Sequence, residues 1–216
     1  MRIFNLNDAG FRYSGTDKWV FRHFDLQIEA GETIRIIGRN GSGKSTLLKI
    51  LSGLLDLTEG TIEIEPDFKV AYMDQFSGDM LARDLTIAEQ LKAITKSASA
   101  FSESVKTLAK FGLGLQERTN EFIGHLSGGQ RQIVALLCIL TGGANVLCLD
   151  EFTSSMDDYS IEIANQLLLV AQTNMEITLV LVGHGSFKNK IDREVKINEI
   201  SEILHNDNLI TEPLNQ

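Results

Sequence analysis

The chain has 216 residues, 43% of them hydrophobic and 23% charged, which is enough for one sizeable domain with a buried core. Its net charge of −9 disfavours nonspecific nucleic-acid binding, which depends on Lys and Arg contacts to phosphate. No apolar run approaches the roughly 20 residues of a membrane span, and the N-terminus lacks the apolar stretch of a secretory signal. Cys138 and Cys148 lie inside apolar runs and are predicted to be buried side chains in a reducing cytoplasm.

The first part of the chain predicts strands and a helix around a glycine-rich loop. Thr33–Ile37 is predicted to be a buried strand that runs into the loop, and Lys44 to about Leu51 a helix with one apolar face. A turn is predicted to follow at Leu54–Gly60, and then a strand at Thr61–Glu65. A further strand is predicted at Lys69–Tyr72 and is expected to end near Gln75.

From about Ser77 to Gly124, apolar residues recur at helical spacing, which predicts an inserted helical subdomain over residues 77–124. The positions that carry this spacing, with a break at Ser97–Ala100, are Ile87, Leu91, Ile94, Val105, Leu108 and Phe111. The elements predicted after the insertion are two helices and two strands: Gln130–Leu140, Val146–Leu149, Ile161–Gln172 and Ile177–Val182. We therefore expect one domain, 1–216, with a core of residues 1–76 and 125–205 and a polar tail of residues 206–216.

Strands and helices alternate in this reading, and the strands are apolar throughout. Strands of that kind are typical of a mainly parallel sheet that is covered on both faces by helices. The predicted fold class is therefore α/β.

Residues Gly38–Ser45 satisfy the phosphate-loop pattern. Glycines let backbone N–H groups approach phosphate oxygens, and the following helix N-terminus attracts negative charge. Lys44 is expected to reach the β- and γ-phosphates and Ser45 to ligate Mg²⁺. A flexible Gly/Ser linker is the alternative, but a strand before the loop and a helix after it favour the phosphate loop. The predicted nucleotide ligands are Gly38, Asn40, Gly41, Ser42, Gly43, Lys44, Ser45 and Thr46.

The apolar run Val146–Leu149 delivers two carboxylates, Asp150 and Glu151, at the end of a predicted strand. Ligands of open α/β sheets bind at that end of the strands. Asp150 fits the carboxylate that organises Mg²⁺, and Glu151 could polarise the attacking water. Acidic residues also simply end strands, so this pair gains its meaning from the glycine loop.

The sequence LSGGQ precedes an apolar helix and could form a second anion site, because Ser127, Gly128 and Gly129 would leave free N–H groups at the helix start. Local chemistry alone favours a plain N-cap and turn.

With these three motifs, the chain resembles the nucleotide-binding domain of ATP-binding cassette (ABC) ATPases from about Phe4 to Ile197. The resemblance implies a phosphate-loop NTPase core with an N-terminal antiparallel β part and the helical insertion. It also implies that Ser127, Gly128, Gly129 and Gln130 contact ATP held by the opposite subunit. Two ATP molecules would then lie between two head-to-tail subunits, most simply a homodimer.

The resemblance assigns roles to two residues ahead of the insertion. Tyr13 matches the aromatic that stacks on adenine, with Phe11 and Trp19 as rivals. Gln75 matches the glutamine that senses Mg²⁺ and the attacking water and links them to the helical subdomain.

Two later residues also match. Asp157 corresponds to the loop that communicates across the dimer, and His184 to the histidine near the γ-phosphate. Three positions depart from the family pattern: Asp74 and Phe152 stand where proline is frequent, and Gly185 where aspartate is frequent. None of them removes a reacting group, so the expected activity is ATP hydrolysis with ATP and Mg²⁺.

The resemblance implies an ATPase subunit that couples dimer closure to transport by separate membrane permease subunits, docked near Gln75 at the inner face of the cell membrane. Residues 112–118 and the segment around LSGGQ resemble bacterial uptake ATPases, including ones linked to amino acids. The acidic-glycine motif that is frequent in exporters is absent before Leu126. An importer is therefore favoured. The alternative is a soluble ABC ATPase that acts in macromolecular assembly or repair, whereas a nonhydrolysing sensor is disfavoured by Glu151 and His184.

Overall fold

The computed structural model describes residues 1–95, 97, 99, 101–102, 106–107, 117–183, 187–188 and 190–197. In these ranges the strands are β1 Arg2–Phe11, β2 Phe21–Glu29, β3 Thr33–Ile37, β4 Glu59–Ile64, β5 Val70–Asp74, β6 Val146–Asp150, β7 Thr178–Val182 and β8 Arg193–Lys196. The α-helices are α1 Lys44–Leu51, α2 Ile87–Ile94, α3 Gly128–Thr141 and α4 Asp158–Met175.

The larger sheet is parallel in every pairing and has the strand order β5-β6-β7-β3-β8. Strands β6 and β7 are buried along their whole length, as strands covered on both faces must be. The predicted α/β class with a mainly parallel sheet is confirmed.

The register of the parallel sheet brings several strand ends together. Asp74 at the end of β5 lies opposite Asp150 at the end of β6, and Asp150 lies opposite Val182 at the end of β7. Val182 in turn pairs with Ile36 of β3. The segments that leave β5, β6, β7 and β3 therefore start side by side at one edge of the sheet.

The smaller sheet is antiparallel, with the order β2-β1-β4, and corresponds to the N-terminal antiparallel part implied by the resemblance. β1 is irregular: its register shifts between Leu6 and Ala9, and Asp8 and His23 on the two facing strands both have positive φ. Such bulges break the alternation of apolar and polar residues, so the sequence pattern did not give bounds for these strands.

Two hydrophobic clusters cover the two faces of the parallel sheet. Val146, Cys148, Val180 and Val182 face the cluster that contains α1 and the antiparallel sheet. Their neighbours along the strands face the second cluster, formed with α2, α3 and α4: Leu147, Leu149, Leu179 and Leu181. Each fully buried side chain of this size contributes about 1.5–3 kcal/mol to folding, so most of the stability comes from these two layers.

Both cysteines are buried, as predicted. Burial raises the pKa of the Cys138 and Cys148 thiols to about 12, because the thiolate would lose its hydration. The two side chains therefore act as small apolar groups in the core.

The regular structure in the described part of the 77–124 segment is helical, joined by turns and one isolated bridge between Thr86 and Phe122. It contains a short helical turn at Ser77–Met80 and helix α2, and a second short turn follows at Ile123–His125. Thr86 caps α2 in a reciprocal box, accepting from the N–H of Glu89 while the Glu89 carboxylate accepts from the N–H of Thr86. The predictions for Val105, Leu108, Phe111 and the tail of residues 206–216 lie outside the described residues, as does part of Ser97–Ala100. Within the ranges described, no helix combines the length and the hydropathy that a membrane crossing requires.

The predicted bounds match the structure for β3 and α1, and three elements begin earlier than predicted. The first is β4, which begins at Glu59 and so takes in the end of the predicted turn. Strand β5 differs in the other direction: it begins one residue later than predicted, at Val70, and runs on to Asp74. Helix α3 begins at Gly128 because Ser127 caps it, and α4 begins at Asp158 because Asp157 caps it. Apolar periodicity does not register such polar first turns.

Candidate active site

A cleft of about 450 Å³ opens at the edge where the strand ends meet. It is lined by Tyr13, Val20, Asn40, Gly41, Gly43, Lys44, Ser45, Thr46, Glu151 and Val182. The structure thus brings the glycine loop, a strand-end carboxylate and one aromatic residue to a single cleft. Among the residues that the structure describes, none of the LSGGQ segment lines this cleft.

The glycine loop joins β3 to α1 with its lysine already folded over it. Lys44 Nζ donates to the carbonyl oxygens of Gly38 and Arg39, both at 2.9 Å. Gly43 has φ +98°, and a Cβ at this position would lie 2.5 Å from Val20 Cγ1, so only glycine fits. The loop backbone therefore packs closely against its neighbours, and the ammonium group of Lys44 lies against the carbonyl oxygens of the loop.

The two carboxylates at the end of β6 have different surroundings. Asp150 is buried and accepts a hydrogen bond from the Tyr72 hydroxyl at 2.9 Å. Burial is the main cause that raises the pKa of Tyr72, and the hydrogen bond to Asp150 is the second. The phenol therefore stays a hydrogen-bond donor. Glu151 is exposed to the cleft, has φ +48°, and donates its N–H to Val182 O at 2.9 Å. A left-handed non-glycine residue costs about 1–3 kcal/mol, and such residues cluster at functional sites.

Tyr13 is the aromatic residue that lines the cleft. The residue is 48% exposed, and its hydroxyl lies 3.0 Å from Thr46 Oγ1 on α1. Of the two rivals, Phe11 is buried and meets the Tyr13 ring edge-on at 4.9 Å. Trp19 has the guanidinium groups of two arginines over its ring, 5.0 Å and 4.7 Å from the centroid.

Gln75 lies directly after β5 and contacts the segment that follows Glu151. The Ser154 hydroxyl donates to Gln75 Oε1 at 2.6 Å, and the Ser155 hydroxyl donates to Gln75 O at 3.1 Å. The loops after β5 and β6 are therefore joined to each other at the rim of the site.

Two departures from the family pattern have local structural roles. Asp74 Oδ1 accepts from the N–H of Phe76 and from the Ser77 hydroxyl, which fixes the turn that carries Gln75. Phe152 is buried in the core below Glu151. A proline at either position would restrict the backbone angle φ. Here the hydrogen bonds of Asp74 and the packing of Phe152 restrict the two loops instead. The third departure, Gly185, lies outside the described residues.

Within the single chain, the LSGGQ residues form a helix cap. Ser127 Oγ accepts from the N–H of Gln130 at 3.2 Å, and Gln130 Oε1 accepts from the N–H of Ser127 at 3.0 Å. A Cβ on Gly129 would lie 2.5 Å from Ser160 Oγ, whereas one on Gly128 would meet nothing within 4 Å. Gly129 therefore lets α3 approach α4, and Gly128 is the open glycine of the pair.

Asp157 caps α4, accepting from the N–H of Ser160 at 2.8 Å, and this bond lowers the pKa of the Asp157 carboxyl. It lies beside Gly129: a Cβ there would be 3.5 Å from Asp157 Oδ2. His184 lies outside the described residues, although β7 ends two residues before it, next to the end of β6.

Two residues of the site were missed by the sequence analysis. One is Tyr72, whose hydroxyl contacts Asp150, and the other is Gln132, a buried polar side chain in α3 that contacts the loops after β5 and β6. The available signal for Gln132 was a polar residue followed immediately by the apolar run of the helix. Tyr72 gave no such signal, because tyrosine is common in strands.

The residues present fit a nucleotide phosphate chain and its magnesium ion. Ser42 Oγ is buried in the loop without a hydrogen-bond partner among the described residues, as a donor reserved for an anion would be. Ser45 and Asp150 supply a hydroxyl and a carboxylate, the hard oxygen ligands that Mg²⁺ prefers alongside phosphate oxygens.

Residues 21–154, more than half of the chain, match the sequence model of the ABC transporter family. The zinc import ATP-binding protein ZnuC of Ruegeria sp. (strain TM1040) is 33% identical, over 85% of this chain and 72% of its own length. The energy-coupling factor transporter ATP-binding protein EcfA1 of Leuconostoc mesenteroides is 32% identical, over 89% of this chain and 77% of its own. In structure, a dimeric bacterial ABC transporter cassette superposes with a TM-score of 0.74, 24% identity, and coverage of 90% of this chain and 94% of that one.

Proposed function

Because the chain belongs to the ABC transporter family, we propose that it is the ATP-binding and ATP-hydrolysing subunit of an ABC transporter. The observation that carries this proposal is the single cleft that contains the glycine loop, Lys44 and Glu151. A phosphate chain on the loop would place its terminal phosphoryl group beside the carboxylate that activates water, which is the arrangement that hydrolysis needs.

The loop residues would bind ATP, and Tyr13 would stack on the adenine. Tyr13 is favoured over its rivals because its half-exposed ring lines the cleft, whereas Phe11 is buried and Trp19 stacks with arginines. Lys44 would exchange its bonds with Gly38 and Arg39 for phosphate oxygens, and the loop N–H groups would stabilise charge on the transferring group.

Mg²⁺, when bound, neutralises charge on the β- and γ-phosphates. Ser45 and Asp150 would hold it, with Tyr72 orienting Asp150. Glu151 would orient and polarise the attacking water, assisted by Gln75. His184 keeps the role beside the γ-phosphate that the family resemblance gives it.

The proposal also includes a dimer of two subunits that closes when ATP binds. In one chain Ser127 and Gln130 cap α3 and lie outside the cleft, so they are available to a second subunit. ATP on one loop would recruit Ser127, Gly128 and Gly129 of the other subunit, with Asp157 beside them at the contact. Hydrolysis would then reopen a homodimer, giving two conformations that a partner can use.

Membrane permease subunits are the proposed partners, and they would hold the chain at the cytoplasmic face of the cell membrane. Phe76 and Met80, on the segment that follows Gln75, are 59% and 85% exposed. Two large exposed apolar side chains on one short segment favour a docking surface. The import role in the name of the ZnuC relative supports the direction of transport.

ATP chemistry is tested with Lys44→Ala. We expect ATP binding and hydrolysis to fall at least 100-fold, because the loop loses its only lysine and its contact to the phosphates. Lys49→Ala removes the same charge from the same helix and is the matched control; it should keep near wild-type activity. Equal nucleotide affinity in Lys44→Ala and wild type would contradict the loop assignment.

The partner is tested by placing a photo-crosslinking amino acid at Phe76 or Met80 in cells. Crosslinks to a membrane protein with several spans are expected. The same group at Leu169, an exposed apolar residue of α4, is the control and should not give that product. Crosslinks from Phe76 to soluble proteins alone would favour the alternative role in macromolecular assembly or repair.

A further inference from the structure

Gln132 is a polar side chain in the core with every hydrogen-bonding atom of its amide used. It is only 2% exposed. Its Oε1 accepts from the N–H of Gly78 at 2.6 Å, and its Nε2 donates to Phe152 O at 3.1 Å and to Asp74 O. A fully satisfied amide of this kind fixes the relative position of the backbones that it joins.

The three bonded backbones belong to the segments that follow β5 and β6, next to the candidate catalytic residues, and Gln132 ties them to the LSGGQ helix. Asp74 directly precedes Gln75, and Phe152 directly follows Glu151. Gln132 itself lies on α3, two residues after the LSGGQ segment that begins the helix. One side chain therefore joins the loop of the proposed sensor, the loop of the proposed water-activating carboxylate and the helix that presents LSGGQ.

The contact is tight enough to transmit a displacement. A Cβ on Gly78 would lie 2.6 Å from Gln132 N, so the segment after Gln75 rests directly on the α3 backbone. Arg131, the preceding residue on α3, adds a salt bridge to Asp79 at 2.8 Å and donates to Leu126 O. Packed backbones with no intervening gap move together rather than independently.

We propose that Gln132 is a positioning residue that couples the state of the subunit's own ATP site to the orientation of its LSGGQ segment. A shift of Gln75 or Glu151 on nucleotide binding or hydrolysis would pull α3 through the amide of Gln132. The segment that the second subunit's ATP contacts would then be aligned or released. This inference rests on the proposed ATP-dependent dimer, and it adds the connection within each subunit that links the two sites.

Gln132→Met tests the coupling, because methionine has a similar length and volume but cannot bond the three backbones. The protein is the full chain with Glu151→Gln, with and without the second substitution. We expect the dissociation constant of the ATP-bound dimer to rise at least tenfold while the affinity of the monomer for a fluorescent ATP analogue changes less than twofold. In the chain with native Glu151, kcat should fall at least tenfold with little change in KM.

Thr178→Val is the matched control for lost stability. Thr178 is fully buried and accepts from the N–H of Gly31 at 2.8 Å, at the far end of the sheet. Gln132→Glu is a second variant that keeps an acceptor for Gly78 and, when neutral, one donor; it should restore part of the dimer affinity. A Gln132→Met protein whose dimer affinity and kcat follow Thr178→Val overturns the coupling.

The two proposals fail in different ways. If the Glu151→Gln protein with native Gln132 does not dimerise with ATP, the proposed dimer is wrong and the inference falls with it. If that protein dimerises and Gln132→Met leaves its dimer unchanged, only the role of Gln132 is wrong.

Discussion

At the scale of single residues, the two carboxylates that end β6 differ by what surrounds them rather than by their chemistry. Asp150 is buried and held by Tyr72, which suits a group that must keep one position for a cation. Among the described residues, no hydrogen bond restrains the exposed side chain of Glu151, and its backbone has a positive φ. These surroundings support the proposed roles of Asp150 as the magnesium ligand and Glu151 as the water-activating group.

Tyr72 gives a test of the ligand assignment. Tyr72→Phe removes the donor to Asp150 and leaves its ring in place, so the carboxylate loses its orientation. Loss of such a partner typically weakens metal binding by about 10–100-fold. We expect the Mg²⁺ concentration for half-maximal ATPase activity to rise about tenfold, with the unfolding temperature nearly unchanged. Tyr159→Phe removes the same hydroxyl from exposed α4 and is the control; equal Mg²⁺ dependence in the two variants would contradict the role of Tyr72.

At the scale of elements, the start of α3 combines a structural glycine with an open one. Gly129 lies against Ser160 of α4, so Gly129→Ala forces the two helices apart and should cost about 1–3 kcal/mol of unfolding free energy. Gly128→Ala meets no atom and should be neutral or slightly stabilising, because alanine favours a helix more than glycine does.

The matched pair separates folding from assembly. In the Glu151→Gln background, Gly128→Ala should weaken the ATP-bound dimer without lowering stability, whereas Gly129→Ala should lower the stability of the single chain. Urea unfolding and analytical ultracentrifugation measure the two effects. Equal losses of stability would contradict the close approach of Gly129 to Ser160.

The elements also show where sequence patterns suffice. The predicted bounds of β3 and α1 match the structure, because a buried apolar strand followed by a glycine loop and an amphipathic helix leaves little choice. The bounds of β1 and β2 were not predicted, since bulges at Asp8 and His23 disturb the alternation. β8 was not predicted either: its four residues, Arg193–Lys196, are half-buried or exposed and carry no apolar pattern.

The residues of the candidate site also fall into those that the sequence predicted and those that it did not. Motif residues were found because a glycine loop and a strand-end carboxylate pair need specific residue types at fixed spacing. Tyr72 and Gln132 were missed because their roles arise only when distant segments pack: Tyr72 lies 78 positions from Asp150, and Gln132 lies 54 from Gly78. A single sequence contains no record of such pairings.

At the scale of the whole molecule, the cleft that would hold ATP is lined by the glycine loop and Glu151 but, among the described residues, by none of LSGGQ. A symmetric dimer in which each LSGGQ segment faces the other subunit's cleft would complete two sites at once. Contacts of this kind are self-complementary and close on themselves, so assembly would stop at the dimer.

Glu151→Gln tests that assembly directly. The amide cannot activate water, so bound ATP persists and keeps the two subunits together. Size-exclusion chromatography with light scattering should give a mass near twice 23.9 kDa with ATP and Mg²⁺, and a single-chain mass without nucleotide. The double variant Lys44→Ala/Glu151→Gln should remain monomeric, because its loop cannot hold the nucleotide that joins the subunits. A monomer at all ATP concentrations in the single variant would rule out the ATP-bridged dimer, and with it the reason for LSGGQ to lie outside its own cleft.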